Sequence, residues 1–278
     1  MEDQRPVIAA VDGSANGNRA LEWAVSQALL AGAPLRIVHA RLYASAIGFS
    51  LGGPSSDDGV GDDPALIRVR AALEGRSGLP PVTYASHPGA PDLVLPGLGE
   101  GARMMVLGSR GRGGLASLLL GSNGLACASR AACPVVVVPR ADPPRTAPTA
   151  RDPYGLVVLG VNGAAPDPGT TAFAFREAAR RGARLRVVVA RPRPAPAQLH
   201  PYRERFPGVD VELVVAPDDA AGRLVAASRA ADLLVIGRHR KRPRSRHLSS
   251  VTSGVLLRTG CPLAVVPLAQ DAVPAAAA

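Results

Sequence analysis

The run Gly108-Ser109-Arg110-Gly111-Arg112-Gly113-Gly114, six further residues, and then Gly121-Ser122-Asn123-Gly124 holds the residue types in this chain best suited to chemistry. That chemistry is anion binding. Glycines let backbone amides approach a ligand without obstruction from Cβ. A glycine loop between a strand and a helix aims unpaired N–H groups at phosphate. Ser122 adds a hydroxyl donor, and Arg110 and Arg112 add charge. A flexible connection would have the same glycine content, so composition alone leaves both readings open. The run is not a Walker A loop, because no Gly-Lys-Ser/Thr follows, and it is not G-x-G-x-x-G after a first strand. A second segment, Val11-Asp12-Gly13-Ser14, supplies a carboxylate at a turn. Asp12 suits ligand contact and helix capping equally, and the two roles are compatible.

The chain lacks the sets of residues that efficient catalysis needs. It has no G-x-S-x-G elbow, no H-E-x-x-H and no pair of carboxylates near the glycine loop. Phosphoryl transfer calls for a positioned base and charge clamps at the transferring group. Asp12, the loop arginines and a metal ion would be the available parts, so slow ATP hydrolysis is the furthest an enzymatic reading goes. Cys127, Cys133 and Cys261 are an odd, scattered set that suits neither a disulfide framework nor a metal site.

The 278 residues are 47% hydrophobic but only 3% aromatic, so the core must be built from Ala, Val and Leu. No apolar run reaches the roughly 18 residues of a membrane span. The acidic N-terminal start shows no charged-then-apolar leader. These features exclude a membrane protein, a disulfide scaffold, a zinc module and a fibrous chain. They point to a cytoplasmic α/β protein with no membrane partner. The net charge is +10, but Lys241 is the only lysine among 32 basic residues. Such an arginine excess reads as compositional bias rather than as a nucleic-acid footprint.

The elements that would position the glycine loop come from a repeat. Residues 7–41 align with 157–191 without a gap at an offset of 150, pairing Asp12 with Asn162, Trp23 with Phe173 and Gly32 with Gly182. Residues 104–111 match 233–240 at an offset of 129, and 133–139 match 261–267 at 128. The second copy is therefore shorter, by residues lost between its second strand and the Gly-Arg-His-Arg segment. In each copy short Val/Ile/Leu runs alternate with helical windows, which predicts β-α-β units and a parallel sheet covered on both faces. In the first copy the strands fall at Pro6–Val11, Leu35–Ala40, Val82–Ser86, Met104–Leu107 and Pro134–Pro139. Helices fall at Asn18–Ala31 and about 117–131, and Pro96, Gly97 and Gly99 weaken the one before strand four. The expected organisation is a first domain over 1–141, a Pro-rich linker over 142–153, a second domain over 154–268 and a disordered tail over 269–278.

G-x-x-G, nine residues, then G-S, carried by Gly108, Gly111, Gly121 and Ser122, resembles the signature of the ATP-binding universal stress proteins. The Val11–Ser14 turn and the ending CPVVVVP are similar to that family too. The likeness covers both copies, and so implies a tandem of two five-stranded parallel sheets with helices on both faces, Rossmann-like and adenine nucleotide alpha hydrolase-like. It further implies ATP across the ends of strands one, two and four. Ala10 and Asp12 would then lie at the ribose and adenine end, and Ala40 would offer backbone contacts to adenine. Gly108, Arg110, Gly111, Arg112, Gly113 and Gly114 would line the phosphates, with Gly121, Ser122 and Asn123 opposite. Mg²⁺ or Mn²⁺ could accompany the phosphates, with Asp12 as an indirect ligand. Fifth strands in this family often pair across a two-fold axis, which here could occur between the two repeats of one chain; a homodimer of tandem chains is a separate expectation.

The second copy keeps the fold signals and loses the site. Asp12 becomes Asn162, Ser14 becomes Ala164, Gly111 becomes Arg240 and Gly121 becomes Ser249, while Ser250 still matches Ser122. Residues 238–247 hold six cations within nine positions, an anion- or nucleic-acid-binding alternative that lacks aromatic stacking partners. His39 reads as a packed or half-buried histidine rather than a base, His87 as a candidate for the pocket wall, Trp23 as core, and Cys133 and Cys261 as small buried apolar groups. Residues 52–63 read as a flexible acidic loop. The resulting expectation is a cytoplasmic stress-response protein that holds ATP in its first domain as a regulatory ligand and acts through a protein partner.

Overall fold

A computed structural model of the chain describes residues 4–41, 63–110, 121–140, 154–161, 166–190, 196–216, 219–239 and 247–268. The expected linker (residues 142–153), the expected tail (269–278) and the acidic stretch up to residue 62 lie outside the described residues. The chain divides into two compact units, residues 1–133 and 134–278.

In the first unit β1 (Val7–Ala10), β2 (Leu35–Arg41), β3 (Val82–Pro88) and β4 (Met104–Gly108) form a parallel sheet in the order β3-β2-β1-β4. The chain builds outward from β1 through β2 to β3, then returns to place β4 on the other side of β1. Strand order therefore reverses between β1 and β4, which is where ligands bind in open α/β sheets. Met104, Met105, Val106 and Leu107 are all buried, as expected of a parallel strand covered on both faces. Helix α1 (Ala15–Ala31) buries Ala20, Leu21, Ala24, Val25 and Ala28, a stripe at helical spacing. Trp23, expected in the core, is only half-buried, because it flanks that stripe. Helix α1 stops at Gly32, whose φ of 58° is a left-handed conformation that glycine adopts without strain. Helix α2 (Pro64–Leu73) follows, then α3 (Pro91–Val94). A 3-10 turn over Leu95–Gly99 continues α3, as Pro96, Gly97 and Gly99 require. Helix α4 (Ser122–Arg130) ends the unit.

The second unit repeats the plan. Strands β6 (Leu156–Val161), β7 (Arg184–Val189), β8 (Val211–Val215), β9 (Leu233–Gly237) and β10 (Leu263–Val266) join β5 (Val135–Val138) in the order β5-β10-β9-β6-β7-β8. All these pairings are parallel except β5 with β10, which is antiparallel, with Val137 opposite Leu263. The last strand of the first repeat thus pairs with the last strand of the second. The helices are α5 (Pro168–Arg181), α6 (His200–Arg205), α7 (Ala220–Ser228) and α8 (Ser250–Arg258). Residues 42–81 separate β2 from β3, but only 190–210 separate β7 from β8, so the shortening lies there. Fully buried Phe175 of α5 fills part of this region by stacking on Tyr202, with ring centroids 5.5 Å apart, and by meeting Phe206.

Candidate functional site

Three carboxyl ends meet at one edge of the first unit. Ala10 is opposite Val38 on one side and Leu107 on the other, so Ala40 and Gly108 extend beyond it at the same end. His87 is opposite Ala40 and so also reaches that end. After β1 the chain turns at Gly13, with φ 73°. Asp12 Oδ1 accepts from the Ser14 amide at 3.0 Å, and Ser14 Oγ accepts from the Gly17 amide at 3.0 Å. Ser14, not Asp12, therefore caps α1. The Asp12 carboxylate is held at the turn before the helix, beside the switch point, and is half-buried.

Gly108 closes β4, and Ser109 and Arg110 follow. Gly111, Arg112, Gly113 and Gly114 lie outside the described residues. The chain returns at Gly121, whose amide donates to the Ser109 carbonyl at 2.7 Å. Gly121 occupies the N-cap of α4 and has no side chain to accept from the first turn. Ser122 is exposed and Asn123 half-buried in that turn. The orphan N–H groups of a helix N-terminus favour an anion.

Sequence reasoning missed one cluster beside these strands. Asp63, fully buried, caps α2 by accepting from the Ala65 and Leu66 amides at 3.0 and 3.3 Å. The same carboxylate accepts from His39 Nδ1 at 2.8 Å and from Ser86 Oγ at 2.6 Å. Burial acts to raise the Asp63 pKa. The hydrogen bonds from Ser86 and His39, the charge of His39 and the Leu66 amide together outweigh it and hold the carboxyl below its usual value. His39 is thus half-buried and hydrogen-bonded to Asp63 at the edge of the core. The Asp63-Pro64 pair, a cap followed by proline in the first turn, was the signal that could have located it. The three residues are those of a hydrolase triad, but the hydroxyl donates to the carboxylate and not to the imidazole. A nucleophile needs the histidine as its base, so this arrangement holds structure instead.

The thiols are buried as well. Cys127, Cys133 and Cys261 form no disulfide, and burial, with Cys133 nearby, pushes the Cys127 thiol up to about 12. Among the described residues no group of three or more His, Cys, Asp or Glu could hold a metal ion. A divalent ion beside Asp12 would need ligands from the phosphates themselves.

The corresponding end of the second unit is built differently. Asn162, Ala164 and Arg240 lie outside the described residues. A Cβ on Gly237 would stand 2.7 Å from Leu268 Cδ2 and 3.3 Å from both His239 Nε2 and Thr170 Oγ1, so side chains crowd this strand end. Ser249 caps α8, accepting from the Thr252 amide at 3.2 Å. Of the basic run 238–247, only Arg238, His239 and His247 are described, and Arg238 is buried, its amide donating to Val266. Arg238 therefore does not belong to a solvent-facing basic patch.

A doubly wound α/β unit whose strand order reverses at the carboxyl ends, present twice and altered in the second copy, is the class of protein that fold and site define. The profile of the universal stress protein family matches residues 4–139 and 197–267. A universal stress protein of Mycobacterium tuberculosis is 30% identical, over 94% of this chain and 97% of its own. A second one from that species is 28% identical, over 97% of each chain. A crystal structure of a universal stress protein from Archaeoglobus fulgidus superposes with a TM-score of 0.67, covering 97% of this chain and 98% of its own at 16% identity. The chain belongs to the universal stress protein family.

Proposed function

We propose that this chain is an ATP-binding regulatory protein of the cytoplasmic stress response, and that its first unit holds the nucleotide. The observation that carries the reading is the passage from β4 to α4. There the signature glycines lead into a helix whose N-cap, Gly121, offers no side-chain acceptor, while the equivalent helix α8 is capped by its own Ser249. The open amides of α4, with Ser122, Asn123 and Arg110, suit the phosphates. Ala10 and Asp12 suit the ribose end, and the backbone at Ala40 suits the adenine. Mg²⁺ or Mn²⁺, when bound, would neutralise phosphate charge, with Asp12 as the protein's nearby carboxylate. His39 and Ser86 are both committed to Asp63, so the reading is binding and not turnover.

Gly111→Arg, which copies Arg240 of the second repeat, tests the reading. The variant is expected to keep the thermal transition of the parent and to lose ATP binding in equilibrium dialysis. A folded variant that binds ATP as tightly as the parent would refute the assigned site.

A further inference from the structure

Asn16 was not singled out by any spacing in the sequence, yet it joins the first turn of α1 to the end of β4. Two backbone donors, the amides of Ser109 and Arg110, face one terminal atom of its carboxamide at 2.9 and 3.1 Å, so that atom is the oxygen. Gly108 accommodates the contact. A Cβ there would stand 2.6 Å from the same terminal atom, 3.0 Å from the Asn16 carbonyl oxygen and 3.1 Å from its carbon. The Ser109 carbonyl takes the Gly121 amide, so the residues flanking 111–120 meet beside Asn16. One side chain, 93 residues away in sequence from Ser109, therefore fixes the backbone as it leaves β4.

The second unit offers a comparison. The repeat offset puts Pro166 in the place of Asn16, and proline carries no carboxamide. Helix α5 begins at Pro168, three positions later in the repeat than α1. The returning chain is also tied one residue further on, by the Ser249 amide to the His239 carbonyl at 2.7 Å.

We propose that Asn16 is a positioning residue for the anion-binding passage. It takes up the Ser109 and Arg110 amides, so those two do not serve the ligand, and it sets the path that brings Gly121 and the α4 amides to the site. The link to nucleotide affinity rests on the ATP reading above, whereas the backbone role does not.

Amide hydrogen exchange on the full chain, without nucleotide, tests the backbone role. Asn16→Leu keeps the volume and removes the acceptor, and Asn16→Asp restores the acceptor. Exchange at Ser109 and Arg110 is expected to rise on the order of ten- to a hundredfold in Asn16→Leu and to stay near the parent rate in Asn16→Asp. Amides of β6 and β7 should be unchanged in both. Asn16→Ala provides the same comparison if the leucine variant does not fold. In parallel, ATP affinity should fall about tenfold in Asn16→Leu, since losing a positioning contact costs about one hydrogen bond. Parent-like exchange at Ser109 and Arg110 in folded Asn16→Leu or Asn16→Ala would overturn the proposal. If the parent itself fails to bind ATP, the nucleotide reading fails, and the exchange rates still decide the role of Asn16.

Discussion

Asp63 gathers four hydrogen-bond donors onto one fully buried carboxylate, two from α2 and one each from β2 and β3. Removing one partner of such a network leaves the others buried and unsatisfied, so Asp63→Ala should cost about 3 kcal/mol or more. The pH dependence has a definite sign. The folded pKa lies below the usual value near 3.9, so the stabilisation is fully present above about pH 4 and is lost as pH falls through the folded pKa. Urea titrations of parent and variant between pH 7 and pH 3 should show the gap narrowing only at the acid end. A gap that does not change with pH would contradict the ionised assignment. The residues of the glycine signature were legible because their chemistry depends on local spacing. Asn16 was not legible, because its partners are far away in sequence and no local pattern records them; Asp63 carried a local capping signal, but its partners His39 and Ser86 did not.

Most elements were legible from apolar periodicity, and the misplaced boundaries have local causes. The expected start of α1 at Asn18 is three residues late, because Asn16 and Gly17 are weak helix formers that the Ser14 cap recruits into the first turn. The same start is real in the second repeat, where Pro168 opens α5. The contrast between α4 and α8 yields a prediction at this scale. Gly121 has φ −74° and ψ 157°, which a serine adopts freely. Gly121→Ser should cap α4 as Ser249 caps α8, raising stability by a few tenths of a kcal/mol. It should also weaken ATP binding, because the new hydroxyl competes for the first-turn amides. Paired measurements of Tm and Kd check this, and a variant with unchanged affinity would show that those amides do not meet the ligand.

At the scale of the molecule, the tandem plan was visible as an offset of 150 residues, and the family profile matches the first copy and the later part of the second. The pairing of β5 with the second repeat was expected from the family resemblance, but not from the residues themselves, because an unbroken run of four valines suits a strand buried in either orientation. The structure places β5 antiparallel to β10, within the unit that begins at Pro134. Val137→Pro should therefore break a ladder position opposite Leu263 and cost about 3 kcal/mol or more. Hydrogen exchange should show faster opening of β9 and β10, although Val137 belongs to the first repeat by sequence. Protection of β10 that survives the proline would contradict this pairing. Two copies of one fold, with one strand end packed on Asn16 and leading to a helix capped by glycine, and the other packed on Leu268, His239 and Thr170 and leading to a helix capped by its own serine, predict unequal binding. Calorimetric titration of ATP with Mg²⁺ into nucleotide-free protein tests that claim most directly. The account predicts one site per chain, whereas two sites, or none, would contradict it.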